Sequence, residues 1–137
     1  MQASPKKTTV NLLISLLLLV WASKSIAQQD DFAYYGFEPD IITNYINNRN
    51  KPGYVRLSIE LMVEKTDYLN LVEHHSPLLR DAIVEIIGQA PEEQIKSLSG
   101  RESLRKQCVD KIKSLLQKET GNPLIRDVLF TNYIYDS

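Results

Sequence analysis

The side chains with the greatest chemical reach in this sequence are Glu73, His74, His75 and Cys108. An imidazole beside a carboxylate can hold a transition metal or move a proton, and a thiolate paired with an imidazole is a nucleophile. The spacing argues against both uses. Adjacent residues on a helix point about 100° apart and do not converge, whereas helical zinc sites take ligands three or four positions apart, as in His-Glu-x-x-His. The chain has 2 histidines in all, and its 1 cysteine lies far from them in sequence. No Gly-x-Ser-x-Gly turn, phosphate-cradling glycine loop or Cys-x-x-Cys pair occurs. The histidines therefore read as a polar helix face, and Cys108 as a small apolar residue within a helical stripe. No catalytic residue, metal or cofactor is expected, and an enzyme built on Glu73, His74 or His75 is carried only as an alternative.

Two further groups suit binding rather than reaction. Phe32, Tyr34, Tyr35 and Phe37 crowd into one short stretch. Aromatic side chains concentrate at interface hot spots, and the competing use is packing inside the domain. Arg101 and Arg105 belong to the charged run Arg101, Glu102, Arg105, Lys106, Asp110, Lys111 and Lys113. Such a run is a solvated helix face, or a face that meets a neighbouring subunit where alternating charges set register. These six residues, Phe32, Tyr34, Tyr35, Phe37, Arg101 and Arg105, are the candidate interface.

The elements that must carry them follow from periodicity. Val55, Leu57, Ile59, Leu61 and Val63 alternate with Arg56, Ser58, Glu60 and Glu64, which predicts a strand with one face on a core. Phe32 to Phe37 reads as an earlier strand ended by Pro39, with Ile41 to Ile46 continuing it after a kink. A polar turn segment, residues 47–53, makes the pairing antiparallel. Leu69, Val72, Leu79, Ile83, Ile86 and Ile87 recur at helical spacing and predict an amphipathic helix over 67–87, kinked or restarted at Pro77 and stopped by Gly88. Residues 91–97 predict a short helical turn led by Pro91. Ser99 and Glu102 have the spacing of a capping box for a second helix striped by Leu104, Cys108, Ile112, Leu115 and Leu116. Gly121 and Pro123 end that helix, and residues 124–135 predict a final strand. The sum is a two-layer α+β domain: a small, mostly antiparallel sheet of about three strands, packed on two helices.

The bulk numbers fit that size. The chain has 137 residues, 43% hydrophobic and 24% charged, with a net charge of -1. A near-neutral chain lacks the basic face that nucleic acid requires. One cysteine permits no internal disulfide, so a body this small depends on its core and gains from oligomerisation.

Residues 1–27 stand apart. Lys6 and Lys7 precede an uncharged apolar run from Val10 to Ala22, and Ser25-Ile26-Ala27 forms a small-x-small site before Gln28. This is the layout of a secretory signal peptide cleaved after Ala27. The rival reading is a membrane anchor over residues 8–26. At about 1.5 Å per residue the uncharged run covers roughly 20 Å, short of a hydrocarbon core of about 30 Å, and Lys24 would have to snorkel. Either reading exports residues 28–137.

Within that exported body the stretch Tyr35-Gly36-Phe37-Glu38-Pro39-Asp40-Ile41-Ile42-Thr43-Asn44 resembles the start of the FliL domain of flagellar basal bodies. Tyr54-Val55-Arg56-Leu57-Ser58-Ile59-Glu60-Leu61 resembles its central strand. Pro77-Leu78-Leu79-Arg80-Asp81-Ala82-Ile83 resembles its first helix, Leu98-Ser99-Gly100-Arg101 the glycine-basic entry to its second, and Asp127-Val128-Leu129-Phe130-Thr131 its last strand. The order and spacing of these pieces carry the resemblance, which covers residues 34–135. It implies a stomatin-type (SPFH-like) fold at the periplasmic side of the inner membrane. It also implies self-association or a ring with FliL-like subunits, and contact with the motor's stator units that modulates rotation, motility and chemotaxis. A generic periplasmic adaptor, or a small-ligand carrier with a roomy apolar pocket between sheet and helices, is the alternative.

Overall fold

The computed structural model of the chain describes residues 6, 9–15, 31–48 and 51–136. Most of the expected signal or anchor segment therefore lies outside the described residues. Of that segment, residues 9–15 are helical and exposed. Among the described residues no helix is long and apolar enough to cross a membrane.

The body runs through strands β1 (Ala33–Gly36), β2 (Ile41–Tyr45) and β3 (Gly53–Val63), then helices α1 (Leu69–Gly88), α2 (Glu92–Lys96) and α3 (Leu98–Thr120), then strand β4 (Ile125–Asp136). All strand pairing is antiparallel, and β3 is the hub. β4 pairs with β3 from Tyr54 to Val63 and so occupies one whole edge of it. β1 pairs with Glu60 to Val63 and β2 with Gly53 to Leu57, which puts them end to end along the other edge. The first two strands are thus one interrupted edge strand, as the kink at Pro39 predicts.

The interruption preserves the faces. Gly36 opposes Glu60 and Ile41 opposes Leu57, so the β1–β2 side carries two more residues than β3 across the break. A side-chain period of two survives an insertion of two, whereas an insertion of one would turn β2 over. Phe37, Ile41 and Tyr45 accordingly all reach the core that β1 begins with Tyr35.

β4 behaves differently. Its register slips between Ser58 and Ile59 and again between Met62 and Val63, leaving Thr131 and Arg126 as extra residues. Each single-residue bulge flips the alternation, so the residues opposite the buried face of β3 are Ile125, Val128, Phe130, Tyr133 and Tyr135. No regular two-residue pattern joins them.

The buried face of β3 (Val55, Leu57, Ile59, Leu61, Val63) meets Val72, Leu79, Ile83 and Ile87 of α1 and Leu104, Cys108, Ile112 and Leu116 of α3 in one core. Each of these residues is at most 1% exposed, so the space between sheet and helices is closed to solvent. The expected helical stripes are the observed ones, with Ala82 added and Leu69, Ile86 and Leu115 only partly covered. α1 runs unbroken through Pro77, which sits on its exposed side. The expected restart does not occur.

The start of α3 departs from expectation. Ser97, not Ser99, is the N-cap, and its Oγ accepts the N–H of Gly100 at 3.0 Å. The third helical position is then Gly100, so Glu102 cannot close a capping box. Packing explains the choice. A Cβ on Gly100 would stand 2.6 Å from Gln94 Cα and 2.6 Å from Ser97 Oγ, and nearer still to the Gln94 carbonyl. Only glycine lets α2 fold back this tightly onto α3. α3 ends on Gly121 at φ 82, and the chain re-enters the sheet through Leu124 at φ 59. Leu124 is buried, and that burial offsets a backbone conformation side chains usually avoid.

Candidate functional site

The histidine pair is on α1, with His74 exposed and His75 half-buried. Their rings do meet, edge to face, with centroids 4.9 Å apart, because two flexible bonds let the side chains close the angle between their Cα–Cβ vectors. Among the described residues no three histidine, cysteine or acidic side chains gather closely enough to hold a metal ion. Cys108 is fully buried, and burial pushes its thiol up to about 12. At neutral pH such a thiol is protonated and lacks the thiolate that reactivity requires.

The aromatic group divides by face. Phe37 is 4% exposed, and Tyr35 packs with it edge to face at 5.4 Å against the core. Tyr34 is 53% exposed on the outer face of β1. Phe32 is half-buried under Arg126, whose guanidinium carbon stands 5.3 Å from its ring centre. Tyr34 and Phe32 are therefore the two that reach the surface.

The arginines divide by partner. Arg105 donates to both carboxylate oxygens of Glu102, at 2.8 and 2.6 Å, and also bonds Asp127 and the carbonyl of Val128. These bonds tie α3 to β4. The hydrogen bond from Arg105 holds Glu102 below the usual carboxylate range, and the two acids hold Arg105 above its own.

Arg101, one turn earlier, has no such set. Its guanidinium carbon lies 4.1 Å from the ring centre of Tyr133, and its buried Nε has no hydrogen-bond acceptor among the described residues. Tyr133 is fixed beneath it, donating its hydroxyl to the Ile95 carbonyl at 2.7 Å and stacking on Phe130. Burial pushes the Tyr133 phenol up to about 12, despite the pull of the Arg101 charge. Lys96 stands 5.8 Å from the ring centre of Tyr135 while it pairs with Glu92. Leu98, the first residue of α3, is 80% exposed. Sequence reasoning reached Arg101 as an interface candidate but missed Tyr133, Tyr135 and Leu98. β4 carries no alternation that would have aimed its tyrosines at α3.

A second polar cluster lies on the outer sheet face at the β1–β2 break. Asp40 accepts from Arg56 Nε at 2.7 Å and from Ser58 Oγ at 2.9 Å, and these bonds hold its carboxyl below the usual range. Arg80 of α1 donates to the Pro39 carbonyl at 2.6 Å and stands over Phe37. Both contacts pin the break in place. An open surface depression of about 360 Å³ lies between α2 and α3, lined by Pro91, Gln94, Ser97, Gly100 and Ser103 among others. No sheet residue lines it.

This geometry defines a small α+β body whose polar side chains pair across its surface to lock one element to the next. Comparison with known proteins gives it a family. Residues 34–135 match the family described as flagellar basal body-associated protein FliL, and the chain belongs to that family. Among curated proteins, the flagellar protein FliL of Aquifex aeolicus (strain VF5) is 33% identical over 100 residues. That match covers 73% of this chain and 59% of the relative. The matched span begins and ends with the sheet, so the family resemblance and the folded body coincide.

Proposed function

We propose that this domain supports the flagellar motor by binding, working on the periplasmic side of the inner membrane against the stator units and against FliL-like subunits. The observation that carries the proposal is the FliL match, which takes in all of the sheet but its first and last residues and all of α1, α2 and α3. A core closed to solvent and outward-facing aromatics are consistent with a domain that acts through its surface. Favouring the active stator conformation requires only differential affinity: a preference of about 1.4 kcal/mol shifts the ratio of two states tenfold.

The test is deletion of the gene with in-frame replacement. The expected result is weakened swimming or swarming that is most marked under viscous load, restored by the intact gene. A fluorescent fusion is expected at the flagellar base. Normal motility under load together with diffuse fluorescence overturns the proposal.

A further inference from the structure

The second half of β4 is an open edge of the sheet. Phe37 donates its N–H to the Ile59 carbonyl at 3.0 Å, so Ile59 faces the β1–β2 side of β3. Ser58, one residue earlier, accepts from Thr131 Oγ1 at 3.2 Å, and Glu64 donates to the Leu124 carbonyl at 2.9 Å, so the even-numbered residues of β3 face β4. The alternation of an antiparallel ladder then fixes β4. Asn132, Ile134 and Asp136 stand opposite Ser58, Arg56 and Tyr54 and turn their backbone groups toward β3. Tyr133 and Tyr135 turn theirs off the edge, where no group among the described residues meets them. The rest of the sheet's rim is defended. Arg105 caps the Val128 carbonyl, bulges at Arg126 and Thr131 break the line of β4, and Pro39 interrupts the opposite edge. Natural sheets use such bulges, prolines and charges to keep edges from pairing, and residues 132–135 carry none of them.

We propose that this edge pairs with the same edge of a second copy of the chain, antiparallel and two-fold symmetric about Ile134. The register follows from the backbone. Placing Tyr133 opposite Tyr135 of the second copy gives every outward N–H and C=O of these tyrosines a partner, and among the described residues no other antiparallel register does so. Ile134, 55% exposed in the single chain, then meets its own counterpart on the outer face. Directly opposed apolar side chains stabilise a strand pair. Asp136 falls opposite Asn132 of the second copy, so no like charges face each other. The contact is isologous, with the same patch used by both chains, and it leaves both helical layers on one side of a continuous sheet. A strand pair this short buries far less than the roughly 800 Å² per partner of a stable complex, so association is weak and rises with concentration. This pairing names a surface for the self-association proposed above and rests on that reading. Its test reads the purified chain, whereas motility and fluorescence read the motor role, so the two failures are distinguishable.

Opposed residues of a non-hydrogen-bonded antiparallel pair have Cα atoms about 4.5 Å apart, within reach of a disulfide. In the full chain under a mild oxidant, Ile134→Cys is therefore expected to form a covalent dimer at least about fivefold faster than Tyr34→Cys, a comparably exposed position on β1. The parent chain, whose Cys108 is buried, is expected not to cross-link. Asn132→Cys and Asp136→Cys are each expected to fail alone and to cross-link when mixed, which reads the register. Tyr135→Pro removes an outward N–H and no bond to β3. In the Ile134→Cys background it is expected to lower cross-linking to the rate of Tyr34→Cys, with a melting curve showing the fold intact. Equal rates for Ile134→Cys and Tyr34→Cys overturn the inference. So does an unmixed Asn132→Cys chain that cross-links as fast as the mixture, or a folded Tyr135→Pro variant that cross-links undiminished.

Discussion

Tyr45 fills the space that a side chain on Gly53 would need. The two are cross-strand partners in β2 and β3, and a Cβ on Gly53 would come within 2.5 Å of Tyr45 Cε2 and Oη. The ring crosses β3 at this glycine, and its hydroxyl donates to the Asp136 carbonyl at 3.0 Å on the far strand. One side chain thus ties both edges of the sheet together at the end where β4 finishes.

Tyr45→Phe removes that hydroxyl and keeps the ring. The expected cost is about 1 kcal/mol, the net value of one hydrogen bond. Urea unfolding measures it, and hydrogen exchange is expected to show faster amide exchange confined to the last residues of β4. Gly53→Ala, which displaces the ring itself, is expected to cost more than Tyr45→Phe.

Gly100→Ala tests the turn between α2 and α3. Alanine is normally the better helix former by about 1 kcal/mol, so propensity alone predicts stabilisation. The contacts predict the opposite, because the new methyl would meet backbone atoms of Gln94 that cannot rotate aside. The expected result is a loss of about 2 kcal/mol, in the range of core overpacking. A more stable Gly100→Ala variant would refute the account of why glycine stands there.

The legible parts of the fold are those with an unbroken period. β3 alternates without interruption, and α1 and α3 bury the stripes that 3.6-residue spacing picks out. β4 was legible as a strand but not in its facing, since Thr131 and Arg126 each reset its alternation and no local signal marks a bulge. The capping box at Ser99 and Glu102 had the right spacing and the wrong location, because the close approach of Gln94 to Gly100 is a tertiary fact. The same limit hid Tyr133 beneath Arg101. Arg101 was visible as a charge on a helix face, but its stacking on Tyr133 exists only once β4 lies beside α3.

Asp40 gives the structure an acid-sensitive joint. Its carboxyl is held low by hydrogen bonds from Arg56 and Ser58. A group depressed in the folded state stabilises it above the unfolded pKa, and that contribution is lost as pH falls through the folded value. The melting temperature is therefore expected to fall below the ordinary carboxylate range, about pH 3.9. Asp40→Asn is expected to flatten that part of the profile while leaving the neutral-pH fold unchanged. An identical acid profile in the two proteins would show that the joint contributes nothing.

Cys108 and Tyr133 act at the other end of the scale. Burial pushes both up to about 12, so each stays protonated in the folded chain after its unfolded counterpart has ionised. The unfolded state then holds fewer protons than the folded one, and stability falls as pH rises. The decline starts near pH 8.5, where an unfolded thiol ionises, steepens near pH 10 with the phenol, and ends near pH 12. Cys108→Ala removes the thiol's share, so the early part of the alkaline decline is expected to disappear while the later part remains. Alkylation gives an independent reading. The buried thiol of the native chain is expected to resist iodoacetamide at neutral pH and to react fully in denaturant, because modification must wait for unfolding. Rapid alkylation of the native chain would mean that α3 opens without the rest of the domain. The core that joins Cys108 to both the sheet and α1 would then be weaker than its burial implies.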